Sequence, residues 1–205
     1  MLFDIKNIKY KSGNAVILDN LSLQVSEEQN LLILGPSGSG KTTIINLMSG
    51  LLKPSSGDIN YKNTNYSELT ELKLDQLRSE NFGFIFQKLH LIDHLNVEQN
   101  IAIARNNKNS LEINNLLKSL GLENFNKMIV KNLSFGESQR VAVARGVVNN
   151  PKVIFADEPT SGLDDRNSKL VIKLIFDQAK KYRSTLIVSS HDQRIKKHFS
   201  KILEI

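Results

Sequence analysis

The sequence predicts an α/β fold from three observations. Short, fully apolar runs alternate with helical patterns, an apolar–polar alternation lies near the N-terminus, and a middle stretch shows helical periodicity only. Taken in order, residues 17–25 alternate in the manner of half-buried antiparallel strands, predicting an N-terminal antiparallel β-subdomain. Residues 31–34 (Leu-Leu-Ile-Leu) form a continuous apolar run suited to a strand buried on both faces. Similar runs recur at 84–86, 153–156 and 186–188, each followed by polar residues that a strand end would present to a ligand. Between them, a helical pattern runs from Thr43 to Ser49 and closes at Gly50. A second places Ile113, Leu116, Leu117 and Leu120 on one face before Gly121, and a third carries Val171, Leu174, Ile175 and Ala179 before Tyr182. The expected centre is therefore a mainly parallel sheet. From Leu89 to Arg145 only helical periods occur, around the Asn-rich break Arg105-Asn106-Asn107-Lys108-Asn109-Ser110, which predicts an inserted α-helical subdomain. The expected division is one domain over 1–205, with 1–88 and 146–205 as core plus β-subdomain and 89–145 as the helical insertion.

A chain of 205 residues suits one domain with a substantial core. With 40% hydrophobic and 23% charged residues the composition is globular, and no stretch approaches the ~18 consecutive apolar residues of a membrane-spanning helix. The start, Met1-Leu2-Phe3-Asp4-Ile5-Lys6, has neither a basic leader with an apolar block nor a small-residue cleavage site, so a cytoplasmic location is expected. Zero cysteines exclude disulfides, thiolate metal sites and thiol catalysis. The net charge of +6 comes from scattered Lys and Arg with only short clusters, a solvated basic surface, and no nucleic-acid partner is expected.

Gly35-Pro36-Ser37-Gly38-Ser39-Gly40-Lys41-Thr42-Thr43 follows the apolar strand ending at Leu34 and opens a helix, the context a P-loop requires. Its glycines let backbone N–H groups turn inward onto phosphate oxygens, and the new helix adds its positive end. Lys41 is placed to reach the β- and γ-phosphates, and the Thr42 hydroxyl to hold Mg²⁺, a hard cation that keeps oxygen ligands. These residues predict a P-loop NTPase core that binds a nucleotide. Asp157-Glu158 ends the apolar run 153–156, where ligands sit in open α/β sheets. Adjacent acids are common on surfaces, but behind an apolar strand and beside a P-loop they suit two tasks. Asp157 fits the outer coordination of Mg²⁺, and Glu158 fits a general base for the attacking water.

Leu133-Ser134-Phe135-Gly136-Glu137-Ser138-Gln139-Arg140 precedes Asp157-Glu158-Pro159-Thr160-Ser161-Gly162-Leu163-Asp164, and the ordered whole resembles the ABC ATPase family over nearly the full chain. The resemblance implies that Tyr10 stacks on adenine, that Gln87 ends the Q-loop strand between Mg²⁺, the water and the helical insertion, and that His191 is the switch histidine at the γ-phosphate. It further implies a head-to-tail homodimer with ATP at the interface. There Ser134, the Gly136 N–H and Glu137 of one subunit complete the other's site, and Asp164 connects the two sites. Two positions depart from the family pattern: Phe135 stands where glycine is usual, and Gly162 where alanine is common. The remaining histidines, His90, His94 and His198, read as ordinary.

Residues 81–87, His90-Leu91-Ile92 and Val97-Glu98-Gln99-Asn100-Ile101 are similar to an export-type group of ABC subunits that includes lipoprotein-release, macrolide-export and cell-division ATPases. That similarity implies an ATPase coupled to transport. The protein would lie peripherally on the inner face of the cell membrane, where an integral membrane permease subunit docks near Gln87 and 88–100. The alternative is a soluble ABC-type ATPase acting on the ribosome, DNA or a cofactor-assembly scaffold.

Overall fold

The computed structural model describes residues 1–106 and 112–205, so positions 107–110 of the predicted Asn-rich break lie outside the described residues. The chain opens with β1 (Phe3–Ser12) and β2 (Ala15–Val25), an antiparallel pair; β1 also pairs antiparallel with β4 (Ser56–Tyr61), which pairs with the short β5 (Thr64–Asn65). This sheet has the order β2-β1-β4-β5. The second sheet joins β3 (Leu31–Leu34), β6 (Phe82–Ile85), β7 (Val153–Asp157), β8 (Thr185–Ser190) and β9 (Lys201–Glu204) in the order β6-β7-β8-β3-β9, every pairing parallel.

The apolar runs form this parallel sheet because both of its faces are covered, so alternate residues enter different cores. Leu32, Leu34, Ile154, Ala156, Leu186 and Val188 join a cluster with the helices α3 (Val97–Ala102), α4 (Ile113–Ser119), α5 (Phe135–Val147) and α6 (Asp165–Tyr182). Leu31, Ile33, Val153, Phe155 and Ile187 point the other way, into a cluster with α1 (Lys41–Met48) and the antiparallel sheet. Each fully buried Leu, Ile or Phe contributes on the order of 1.5–3 kcal/mol relative to exposure.

The segment 89–145 contains helices among its described residues, as expected, apart from an isolated bridge between Asn96 and Ile129. Its longest helix, α5, runs unbroken past Arg145 to Val147 and lies against β6 at unusually short range. A Cβ on Gly83 would stand 2.0 Å from the Gly146 carbonyl oxygen, and one on Gly146 would stand 2.8 Å from the Phe84 carbonyl oxygen. Only glycine fits at either position, and the helix is pinned there to the sheet. Elements outside the sequence reading include the β4–β5 pair, the helix α2 (Glu71–Asn81) and the edge strand β9. The strand expected at 84–86 is placed at Phe82–Ile85, leaving Phe86 beyond its end. Among the described residues no helix is long and apolar enough to cross a membrane.

Candidate functional site

All five strands of the parallel sheet point the same way, which gathers the turns after β3, β6, β7 and β8 at one edge. There a cavity of about 330 Å³ is lined by Ile17, Ser37, Gly38, Gly40, Lys41, Thr42, Thr43, Gln87, Glu158, Ser161 and His191. The loop after β3 bends through Gly38 and Gly40, whose φ angles are 82° and 101°, into α1. No side chain caps the start of that helix, leaving its first N–H groups directed at the cavity end with their positive potential. The Ser39 Oγ is buried without a hydrogen-bond partner. Inward N–H groups and a cation together suit an anion carrying several oxygens.

Lys41 is only 5% exposed. Its Nζ donates to the carbonyls of Gly35 (2.9 Å) and Pro36 (2.7 Å) and lies 3.1 Å from Glu158 Oε1. The second carboxylate oxygen of Glu158 sits 2.8 Å from His191 Nδ1 and accepts the His191 backbone N–H at 3.4 Å. One carboxylate thus joins Lys41 of the glycine-rich loop to the histidine, whose side chain is 51% exposed at the cavity.

Glu158 has a left-handed backbone, with φ 47°, a conformation that costs a non-glycine residue on the order of 1–2 kcal/mol. It is fixed there because its N–H donates to both the carbonyl (3.1 Å) and the Oγ (3.0 Å) of Ser189. The same Ser189 hydroxyl donates to Asp157 Oδ1, while Asp157 Oδ2 accepts from Thr42 Oγ1 at 2.8 Å. Register explains the arrangement, since Asp157 pairs with Ser189 across β7 and β8. Gln87, just past β6, donates from Nε2 to Ser161 Oγ at 3.2 Å.

Residues 134–137 lie elsewhere. Ser134 is the N-cap of α5 and forms a reciprocal box with Glu137: the Ser134 N–H and Oγ donate to Glu137 Oε2 (2.7 and 2.8 Å), and the Glu137 N–H donates back to Ser134 Oγ at 3.4 Å. The two hydrogen bonds from Ser134 hold the Glu137 carboxyl below its ordinary value. Ser134, Phe135 and Gly136 are exposed and absent from the cavity lining, with the Phe135 ring 57% exposed. Asp164 caps α6, accepting from the Asn167 N–H at 2.9 Å, which lowers its pKa as well. Gly162, in the turn before it, has φ 77°, a conformation in which the alanine common in the family would be strained.

Thus the fold brings together Ser37, Gly38, Gly40, Lys41, Thr42, Thr43, Gln87, Glu158 and His191 at the cavity, with Asp157 bonded to Thr42 behind it. Tyr10 is half-buried on β1 opposite Leu18, and Ile17, not Tyr10, lines the cavity. Ser189, and the places of Ser161 and Ile17 at the cavity, escaped the sequence reading. Ser189 could have been found from its place at the polar end of an apolar strand, two residues before His191.

A profile of the ABC transporter family matches residues 18–161. The lipoprotein-releasing system ATP-binding protein LolD of Buchnera aphidicola is 37% identical over 97% of this chain and 91% of its own length. The protein of the same name from Wigglesworthia glossinidia brevipalpis is 35% identical over 98% and 90% respectively. Among solved structures, the ATP-binding cassette MJ0796, as a dimer in a post-hydrolysis state bound to ADP and Pi, superposes with TM-score 0.84 at 30% identity, covering 99% of this chain and 94% of that one.

Proposed function

Since the chain belongs to the ABC transporter family and is an ATP-binding, ATP-hydrolysing subunit, we propose that it powers a separate membrane subunit in lipoprotein or peptide release, working as a head-to-tail homodimer. The observation that carries the chemical part is Glu158, a carboxylate held at 2.8 Å from His191 and 3.1 Å from Lys41 at the edge of one cavity.

In this reading the glycine-rich turn, residues 35–43, receives the phosphates on its N–H groups, and Lys41 exchanges its carbonyl and carboxylate partners for β- and γ-phosphate oxygens. Glu158 then holds and deprotonates the attacking water, and His191 presents its other ring nitrogen to the γ-phosphate. Gln87 senses the water from the end of β6. The Thr42 hydroxyl and the Asp157 carboxylate fit a magnesium ion, which takes most of its oxygens from phosphate and water, and no cluster of three His, Cys, Asp or Glu is needed or found among the described residues. When bound, the ion neutralises charge on the transferring phosphate. Ser134, the Gly136 N–H and Glu137 serve the partner subunit's nucleotide, which the exposure of Ser134 and Gly136 and the absence of all three from the cavity lining support. Tyr10 stacks on adenine beside Ile17, and Asp164 links the two sites.

The same proposal divides the single ABC domain into 1–88 with 146–205 and the helical 89–145. The permease docks by Gln87 and 88–100, where a cavity of about 290 Å³ is lined by Phe86, Gln87, Lys88 and His90, so the protein is peripheral on the inner face of the membrane. Glu158→Gln tests the chemistry. We expect ATP binding to be retained and phosphate release to fall at least about 100-fold; near-normal release by the assembled variant would refute the base assignment.

A further inference from the structure

The short 3₁₀ helix that follows the switch histidine, Gln193–His198, lies against the first turns of α6 across a cavity of about 320 Å³, lined among others by Asp165, Ser168, Asp192, Arg194 and Ile195. One guanidinium spans it. Arg194 donates from Nε and Nη2 to the two oxygens of Asp192, each at 2.8 Å, while its backbone N–H donates to Asp192 Oδ1 at 2.9 Å. Its remaining terminal nitrogen, Nη1, forms an ion pair with Asp165. Asp192 adjoins His191, and its own N–H donates to Ser190 Oγ at 3.0 Å. Asp165 adjoins Asp164, the cap of α6 at the end of the turn 161–164. A planar fork with donors in fixed directions can hold both carboxylates at once, and a single ammonium cannot.

We propose that Arg194 is a positioning residue that straps the switch loop to the start of α6, so that the setting of His191 follows the turn Ser161-Gly162-Leu163-Asp164. This rests on the roles given above to His191 and Asp164. The strap differs in kind from the packing beneath it. Ile195 is 5% exposed and already fastens the 3₁₀ helix to the core through the cluster containing Val171 and Ile172. The Arg194 and Asp165 side chains are 54% and 74% exposed, open to water and salt, and contribute little to holding the fold. Their use is directional. Movement of the turn 161–164 is passed through two carboxylates to the residue next to His191, without either aspartate lining the cavity that holds Lys41, Glu158 and His191.

Steady-state hydrolysis by the full-length chain, with ATP affinity and thermal unfolding measured alongside, tests the strap. Arg194→Ala and Asp165→Asn should each lower kcat roughly 10-fold while leaving KM for ATP and the unfolding midpoint in place. The double variant should lose no more than either single one, and Arg194→Lys should fail to recover kcat. An unchanged kcat in Arg194→Ala, additive losses, full recovery by lysine, or a parallel loss of folding would overturn the proposal. His191→Ala, run in parallel, separates the two readings. If it is inactive while Arg194→Ala is normal, the strap falls and the site stands; if it is itself fully active, the role given to His191 falls and takes the strap with it.

Discussion

Around the cavity at the sheet edge, Lys41, Glu158 and His191 hold one another, and the first two are buried. At the start of α5, Ser134 and Glu137 bond to each other while Ser134, Phe135 and Gly136 face solvent. The first region is closed on itself and carries its own counter-charges. The second is a finished helix terminus offered outward. The difference teaches that residues of one motif set need not meet within one chain: Lys41, Glu158 and His191 line the cavity, and Ser134 and Glu137 do not.

The contrast can be broken most severely at Lys41. Lys41→Ala leaves a carboxylate that is 10% exposed without its cation, so a stability loss of about 3 kcal/mol and loss of nucleotide binding by the isolated chain are expected in denaturant and ATP titrations. Unchanged stability would mean that the interlocked pair holds nothing together. Ser134→Arg should cost folding only about 1 kcal/mol, the usual value of a lost N-cap, and leave ATP binding by the monomer intact. Hydrolysis by the dimer should nevertheless fall to background, and weakened monomer binding would contradict the outward role. The smallest effect concerns acid. Because hydrogen bonds lower the pKa of Glu137 in the folded chain, its contribution is full above the unfolded value and is lost as pH falls through the folded one. Exchange of amide protons at the first turn of α5 should therefore accelerate only below the ordinary glutamate range, and a change near neutrality would exclude the box as its cause.

Much of this was legible because it rests on short, local signals. The glycine-rich loop declares itself through glycines between an apolar strand and a helix, and the strands at 31–34, 153–157 and 185–190 through burial on both faces. β9 was hidden because an edge strand has one partner, β3, and its residues are at most half-buried, so no apolar run marks it. α2 was hidden for a related reason: Leu74 is its one buried residue, too few to set a period. Ser189 and Arg194 illustrate a different limit. Each acts through residues distant in sequence, Ser189 on Asp157 and Arg194 on Asp165, and spacing alone does not reveal a contact made by sheet register or by helix packing.

The near-contact of Gly83 with Gly146 has a mechanical consequence. It makes the far end of α5 a fulcrum, with Ser134 at the tip of an arm twelve residues long, about 18 Å. A tilt of roughly 10° about that point would swing the tip by about 3 Å, the reach of one hydrogen bond. A tilt that small at the pivot would be enough to engage or release whatever the tip touches.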